Sequence, residues 1–401
     1  MKSSLFAGVP MAPRDPIFGL TDSFNHDAHP SKVNLGVGVY LNDEGRIPVL
    51  RAVSEAERLL AASPSPRGYL PIDGIAAYDT VVQKLLLGEN SSLINDGRVI
   101  TAQSLGGTGA LKIGADMLQK VLPGATVAIS DPTWENHRAV FESAGFNVVT
   151  YPYYDPATRG VQFDAMLAFL RTLPPRSIVV LHACCHNPTG VDLTADQWQA
   201  VLALLREREL LPFLDIAYQG FGNGLDQDGA VLREFARSGM PLLIASSFSK
   251  SFSFYGERVG ALTIVDGSKD ESARVLSQLK RVIRANYSTP PTHGGMVVTT
   301  VLTTPELRAS WMQELDEMRE RISSMRTALV DRLKAHGVKQ DFSFVLRQNG
   351  MFSYSGLTAE QVDALRSQFG VYAVHTGRIC VAALNHKNVD YVAQGIAAVL
   401  Q

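Results

Sequence analysis

The sequence predicts an α/β protein with a mostly parallel sheet in a large domain, plus a smaller α+β domain. Three observations carry that prediction. From about residue 98 to 265, short strand-like runs alternate with helix-like segments. Several of the runs are apolar almost throughout, the pattern of strands buried on both faces. Beyond them the rhythm changes to one long helix and then a short mixed segment. Alternation of the first kind closes into strand–helix–strand units with helices on both sides of a sheet.

In chain order, Pro10, Pro13, Pro16 and Pro30 forbid a continuous helix over the first forty or so residues, which read as an extended arm and a connecting segment. Candidate strands follow at 99–102, 126–130, 147–150, 177–182, 212–216, 242–246 and 261–265. Among the helices between them, 195–206 opens on the capping box Thr194-Ala195-Asp196-Gln197. Thr304 and Pro305 then supply a cap and a first-position proline. Leu307, Trp311, Leu315, Met318, Ile322, Met325, Leu329 and Leu333 recur at spacings of three and four, and Gly337 stops the run. One helix of that length is about 45 Å long, enough to reach from one domain into another. Strand-like 342–346 and 351–355, a capped helix from Thr358 and a last apolar helix complete the chain. The expected division is an arm over 1–13, a small domain from 14–43 plus 311–401, and a large domain over 44–310.

Composition narrows the function. With 401 residues, 46% apolar and 19% charged, the chain can bury a sizeable core, which excludes disorder, coiled coil and fibre. Thirty-seven basic against thirty-nine acidic residues leave no excess to neutralise a phosphate backbone, so nucleic acid is not an expected partner. Cys184 and Cys185 are adjacent, Cys380 stands alone, and no Cys-x-x-Cys spacing suggests zinc. These read as packing thiols in a reducing compartment. No apolar run has the length of a signal core or a membrane span, so the expectation is a soluble, cytoplasmic protein with no membrane partner.

Four clusters carry chemistry. Ser247-Phe248-Ser249-Lys250-Ser251 follows a buried-strand candidate, and a lysine in a desolvated or cationic setting becomes a usable amine nucleophile. Arg258, eight residues on, supplies positive charge and can bind an anion. Ser104-Leu105-Gly106-Gly107-Thr108-Gly109-Ala110 joins a strand to a helix, where backbone N–H groups can approach a phosphate. It lacks the Gly-Lys-Ser/Thr ending of a Walker loop and the last glycine of Gly-x-Gly-x-x-Gly. His186-Asn187-Pro188-Thr189-Gly190 and Asp215-Ile216-Ala217-Tyr218 fall at the ends of buried strands, where ligands gather in open α/β sheets. A buried Asp215 needs a cationic or hydrogen-bonded partner. His137, His182 and His186 have no tight metal-ligand spacing, so no metal is expected.

Taken together, in this order and spacing, these clusters closely resemble class I aminotransferases of the aspartate and aromatic amino acid subgroup, most like the aromatic (tyrosine) enzymes. The resemblance runs from Val33-Asn34-Leu35-Gly36-Val37-Gly38-Val39-Tyr40 to Thr376-Gly377-Arg378. It implies the fold of type I pyridoxal-phosphate-dependent transferases and pyridoxal 5'-phosphate as cofactor. Lys250 would bond the cofactor covalently, Asp215 would pair with its ring nitrogen, and Tyr218 and Asn187 would meet its phenolic oxygen. Trp134 would stack on the ring, and Gly107, Thr108, Ser247 and Arg258 would hold the phosphate. Tyr69 would reach the phosphate of a neighbouring subunit, so a homodimer with composite sites is implied. Gly38, Trp134, Asn187, Arg284 and Arg378 would contact substrate, Arg378 at the α-carboxylate and Arg284, from the partner subunit, at a distal one. Leu41, Ile47 and Gly68 give an apolar lining suited to an aromatic ring, whereas Val39 and Thr108 look more like the aspartate pattern. The implied activity moves the amino group between tyrosine or phenylalanine and 2-oxoglutarate and also accepts aspartate. The alternative is aspartate as the main donor. A decarboxylase or lyase on the same cofactor is the rival chemistry, separable by ping-pong kinetics and the need for a 2-oxo acid acceptor.

Overall fold

All seven candidate strands form one sheet in the computed structural model, which describes residues 4–15, 17–66 and 68–401. They are β1 Val99–Leu105, β2 Thr126–Asp131, β3 Asn147–Pro152, β4 Ile178–His182, β5 Leu211–Ile216, β6 Leu242–Ser247 and β7 Val259–Val265. The order across the sheet is β1-β7-β6-β5-β4-β2-β3. Only β7 runs antiparallel to its neighbours, so the other strands share one direction. Their C-terminal ends therefore lie along one edge, and the start of β7 lies there too.

Side-chain alternation explains why the runs are apolar throughout. Val127, Ile129, Phe213 and Leu243 face one core with the helices Gly106–Val121 and Lys269–Asn286. Ala128, Leu214, Leu242 and Ile244 face a second core with Ala195–Glu207 and Pro305–Ala335. Neither face of the inner strands meets water, as both-sided burial demands, whereas the edge strand β3 exposes Asn147 and Thr150. Gly114 lets its helix approach closely, since a Cβ there would lie 2.6 Å from the Phe213 ring.

The helix Pro305–Ala335 buries all eight residues of its periodic stripe. Near its start, Trp311 donates from Nε1 to the Ser251 carbonyl at 2.7 Å and stacks on Phe252, fixing the turn that carries Lys250. Its far half packs on the last helix, Val389–Val399. Beside it, Val33–Asn34 pairs parallel with Val371–Tyr372, and Phe352–Tyr354 pairs antiparallel with Arg378–Cys380.

Three local expectations change. Residues 342–346 form not a strand but a short 3-10 helix, Ser343–Arg347, which Asp341 starts by accepting from the Ser343 amide at 2.7 Å. Thr304 occupies the cap position without a side-chain capping bond, leaving Pro305 as the start signal. The first forty residues also hold a helix, Phe18–His26, between two of the prolines. Pro16 and residues 1–3 of the expected arm lie outside the described residues. Both capping boxes, at Thr194 and Thr358, are made.

Candidate active site

Each chemical cluster sits at the sheet edge just described, because each follows a strand end or, for Arg258, precedes the start of β7. Register places Ser247 opposite Gly260, Leu105 opposite Val259, and His182 opposite Asp215. Residues more than a hundred positions apart thus become neighbours.

An anion cradle forms where β1 turns into its helix. The N-cap residue Leu105 offers no side-chain acceptor, so beyond Gly106, whose amide donates to the Arg258 carbonyl at 3.1 Å, the first amides of Gly106–Val121 keep their partial positive charge. Gly106 has φ +68°, and a Cβ there would lie 2.7 Å from Arg258 Nη2. A Cβ on Gly107 would lie 3.2 Å from that of Ser247, so Gly107, Ser247 and Arg258 close on one small volume. Arg258 donates to Ser249 Oγ at 3.3 Å and to the Tyr255 carbonyl at 3.1 Å, both neutral acceptors that leave its charge uncompensated. Thr108 stands in the first turn of the same helix.

Asp215, at the end of β5, is 5% exposed. His137 Nε2 meets its Oδ2 at 2.9 Å, while His137 Nδ1 meets Thr133 Oγ1 at 2.8 Å. Burial alone would push the Asp215 carboxyl up. The His137 hydrogen bond and the fields of His137, His182 and Lys250 outweigh it and hold the group below the usual carboxylate value. Burial, with His137 beside it, pushes His182 down to about 3, against the pull of Asp215. The fold brings His137, His182 and Asp215 within ligand distance of one another although they are far apart in sequence. Both His137 nitrogens are engaged, one with Thr133 and one with Asp215, while His182 packs its ring against that of His137, centres 4.9 Å apart.

Lys250 reaches the same space, its ammonium 4.8 Å from the centre of the Tyr218 ring. Burial lowers it to about 8; Asp215 opposes that shift, and Arg258 and Arg378 reinforce it. Burial also pushes the Tyr218 hydroxyl up, against Arg378. Trp134 lies edge-on to His137, ring centres 5.3 Å apart.

Arg378 is 2% exposed and donates to Asn187 Oδ1 at 3.1 Å and to the Gly36 carbonyl at 2.6 Å. Among the described residues its Nε is buried with no hydrogen-bond partner, and no carboxylate bridges to the group. A buried guanidinium so placed is short of an anion. Phe352 lies 4.3 Å beneath it, and Gly38 leaves room for that ring, since a Cβ there would be 2.7 Å from Phe352 Cζ.

Two of the expected residues do not join this site within one chain. Tyr69 is 97% exposed, and Arg284 lies exposed at the end of Lys269–Asn286, donating to Ser288 Oγ. Val39, Leu41 and Ile47 line an open cleft of about 730 Å³ with Phe24, Lys32 and Asn388, and none of the residues assigned to the cofactor or the α-carboxylate lines it; Gly68 has open space around it. Sequence reasoning missed Phe352, whose apolar surroundings read only as a core strand, and Tyr255, whose hydroxyl accepts from the Tyr40 amide at 2.8 Å. It also missed the pairing of His137 with Asp215; the signal was an Asp within an apolar strand, which needs a partner.

Residues 30–396 match the family of aminotransferases of class I and II. The chain is 65% identical to an aspartate aminotransferase of Pseudomonas aeruginosa, over 99% of this chain and all of that one. It is 51% identical to the aromatic-amino-acid aminotransferase of Escherichia coli, with the same coverage. Among solved structures, an aromatic-amino-acid aminotransferase from Burkholderia pseudomallei, covalently bound to pyridoxal phosphate, superposes with a TM-score of 0.98 at 66% identity, covering both chains fully.

Proposed function

The chain belongs to the class I and II aminotransferases, and from that premise we propose that it is a pyridoxal-phosphate transaminase of broad specificity. It moves the amino group between tyrosine or phenylalanine and 2-oxoglutarate and also accepts aspartate. The observation that carries this reading is the convergence on one sheet edge of an amine lowered to about 8, a buried carboxylate held ionised, and a buried guanidinium lacking an anion. The donor set fits the cofactor: an amine for its aldehyde, a carboxylate for its ring nitrogen, and a helix N-terminus with Arg258 and Ser247 for its phosphate.

When bound, the cofactor supplies an electron sink for the substrate α-carbon. The chain supplies the rest. Gly107, Thr108, Ser247 and Arg258 anchor the phosphate, and Trp134 covers the ring. Asp215, kept ionised by His137, keeps the ring nitrogen protonated. Tyr218 and Asn187 orient the phenolic oxygen. Arg378 grips the α-carboxylate and thereby points the α-hydrogen at Lys250. Lys250 Nζ, lowered to about 8, would be the base that takes up that proton.

Leu41 and Ile47 favour an aromatic ring, as the resemblance implies, and Arg284 of a partner subunit serves the distal carboxylate of aspartate or 2-oxoglutarate. The outward position of Tyr69 and Arg284 supports a homodimer with composite sites. The domain division runs as arm 1–13, small domain 14–43 plus 311–401 and large domain 44–310, and the location is the cytoplasm. Among the described residues no helix is long and apolar enough to cross a membrane. The high identity to an aspartate aminotransferase favours aspartate as the main donor in a second reading. Efficiencies for aspartate, glutamate, tyrosine and phenylalanine on one preparation separate the two, and an aspartate preference of about a hundredfold, about 2.7 kcal/mol, refutes the aromatic one.

A further inference from the structure

The residues that shape Arg378 do not stop at its neighbours. Its two side-chain contacts, Asn187 and Phe352, come from two loops distant in sequence, 185–192 and 345–352. These loops mesh backbone to backbone. Asn349 donates its amide to the Gly190 carbonyl at 2.6 Å. A Cβ on Gly190, at φ +68°, would lie 2.8 Å from the Phe352 carbonyl oxygen, and one on Gly350 would lie 2.5 Å from Cys185 Cβ.

Two charged groups pin the joint. Arg326, on Pro305–Ala335 and 4% exposed, donates to the carbonyls of Val345 at 3.1 Å, Gly350 at 2.8 Å and Phe352 at 2.6 Å. Asp192 accepts from the amides of Cys185 at 2.9 Å and His186 at 2.8 Å, and from Asn349 Nδ2 at 3.1 Å. One charge thus organises the loop bearing Phe352, the other organises the loop bearing Asn187, and Asn349 couples them. A buried arginine whose hydrogen bonds all end on backbone carbonyls of one loop fixes that loop more firmly than packing alone.

We propose that Arg326 and Asp192 are positioning residues for the substrate carboxylate: acting through Phe352 and Asn187, they set the plane of the Arg378 guanidinium that meets the substrate. This inference rests on the reading of Arg378 as the α-carboxylate site. A planar fork binds bidentately only in register, so a small tilt costs affinity without emptying the site of charge.

The test uses the holoenzyme and two variants, Arg326→Lys and Asn349→Ala. The first replaces a three-bond fork with a point charge; the second removes only the coupling bond to Asp192. The probes are 3-phenylpropionate and 3-phenylpropan-1-ol, alike except for the carboxylate, titrated by the cofactor's absorbance. The expected result is weaker 3-phenylpropionate binding by about tenfold in both variants, unchanged binding of the alcohol, and KM for aspartate and phenylalanine rising together more than kcat falls. Equal losses for acid and alcohol, or no loss for the acid, overturn the inference. Should Arg326→Lys fail to fold, Asn349→Ala decides alone. Arg378→Ala separates the two levels. If it leaves acid binding intact, the carboxylate assignment itself fails; if it abolishes acid binding while the two variants do not weaken it, only the positioning role falls.

Discussion

Replacing Lys250 by Met in the apoprotein should stabilise it at neutral pH, because the site holds this amine at the expense of folding. The ammonium is lowered from 10.5 to about 8, burial being the largest cause. An unfolded lysine takes up its proton near 10.5, whereas the folded one waits until about 8. Between 10.5 and about 8 the unfolded state therefore binds a proton that the folded state lacks, and stability is lost as pH falls through that window. At about 1.36 kcal/mol per pH unit the full penalty is about 3 kcal/mol, and the partial accessibility of Lys250 brings it to about 2. Lys250→Met removes the charge and keeps most of the packing. Urea unfolding at fixed protomer concentration should show the variant more stable by about 2 kcal/mol at pH 7, with the gap closing towards pH 10. A destabilised variant, or a gap that does not change with pH, would refute the lowered amine.

The remaining predictions concern the other charges. Arg284→Leu should reduce kcat/KM for aspartate and 2-oxoglutarate by about 10²–10³, two charge-assisted hydrogen bonds, and spare phenylalanine; equal losses defeat the distal-carboxylate role. His137→Phe leaves Asp215 without its closest partner, so its carboxyl moves up, the acid limb of the activity profile moves to higher pH, and turnover drops about ten- to a hundredfold; an unmoved limb contradicts the network. Mixing Tyr69→Phe subunits with Lys250→Ala subunits should restore activity through hybrid dimers with one intact site, and full activity in a dilute monomer would rule composite sites out.

Much of the architecture was legible because strands buried on both faces leave a plain trace. The seven apolar runs each became a strand of the main sheet, and their ends located Lys250, Asp215, Asn187 and Gly107 along one edge. What stayed hidden were relations set by register and by packing between distant segments. Nothing local to His137 says that it faces Asp215, since that contact follows from the turn after β2 approaching the end of β5. Segment 342–346 has strand composition, yet Asp341 engages the Ser343 amide and tips it into a 3-10 turn. The buried Arg326 and Glu314 interrupt an otherwise apolar stripe; Glu314 accepts from the Arg51 and Ala52 amides at a distant helix start, a role periodicity cannot reveal.

Reduction of the holoenzyme with borohydride, followed by peptide mass analysis, shows which lysine carries the cofactor. One modified peptide is expected, carrying the reduced cofactor on Lys250, and it should be absent from Lys250→Ala, which should still bind cofactor through the phosphate cradle but turn over orders of magnitude more slowly. Label on another lysine, or near-normal turnover in Lys250→Ala, would contradict it.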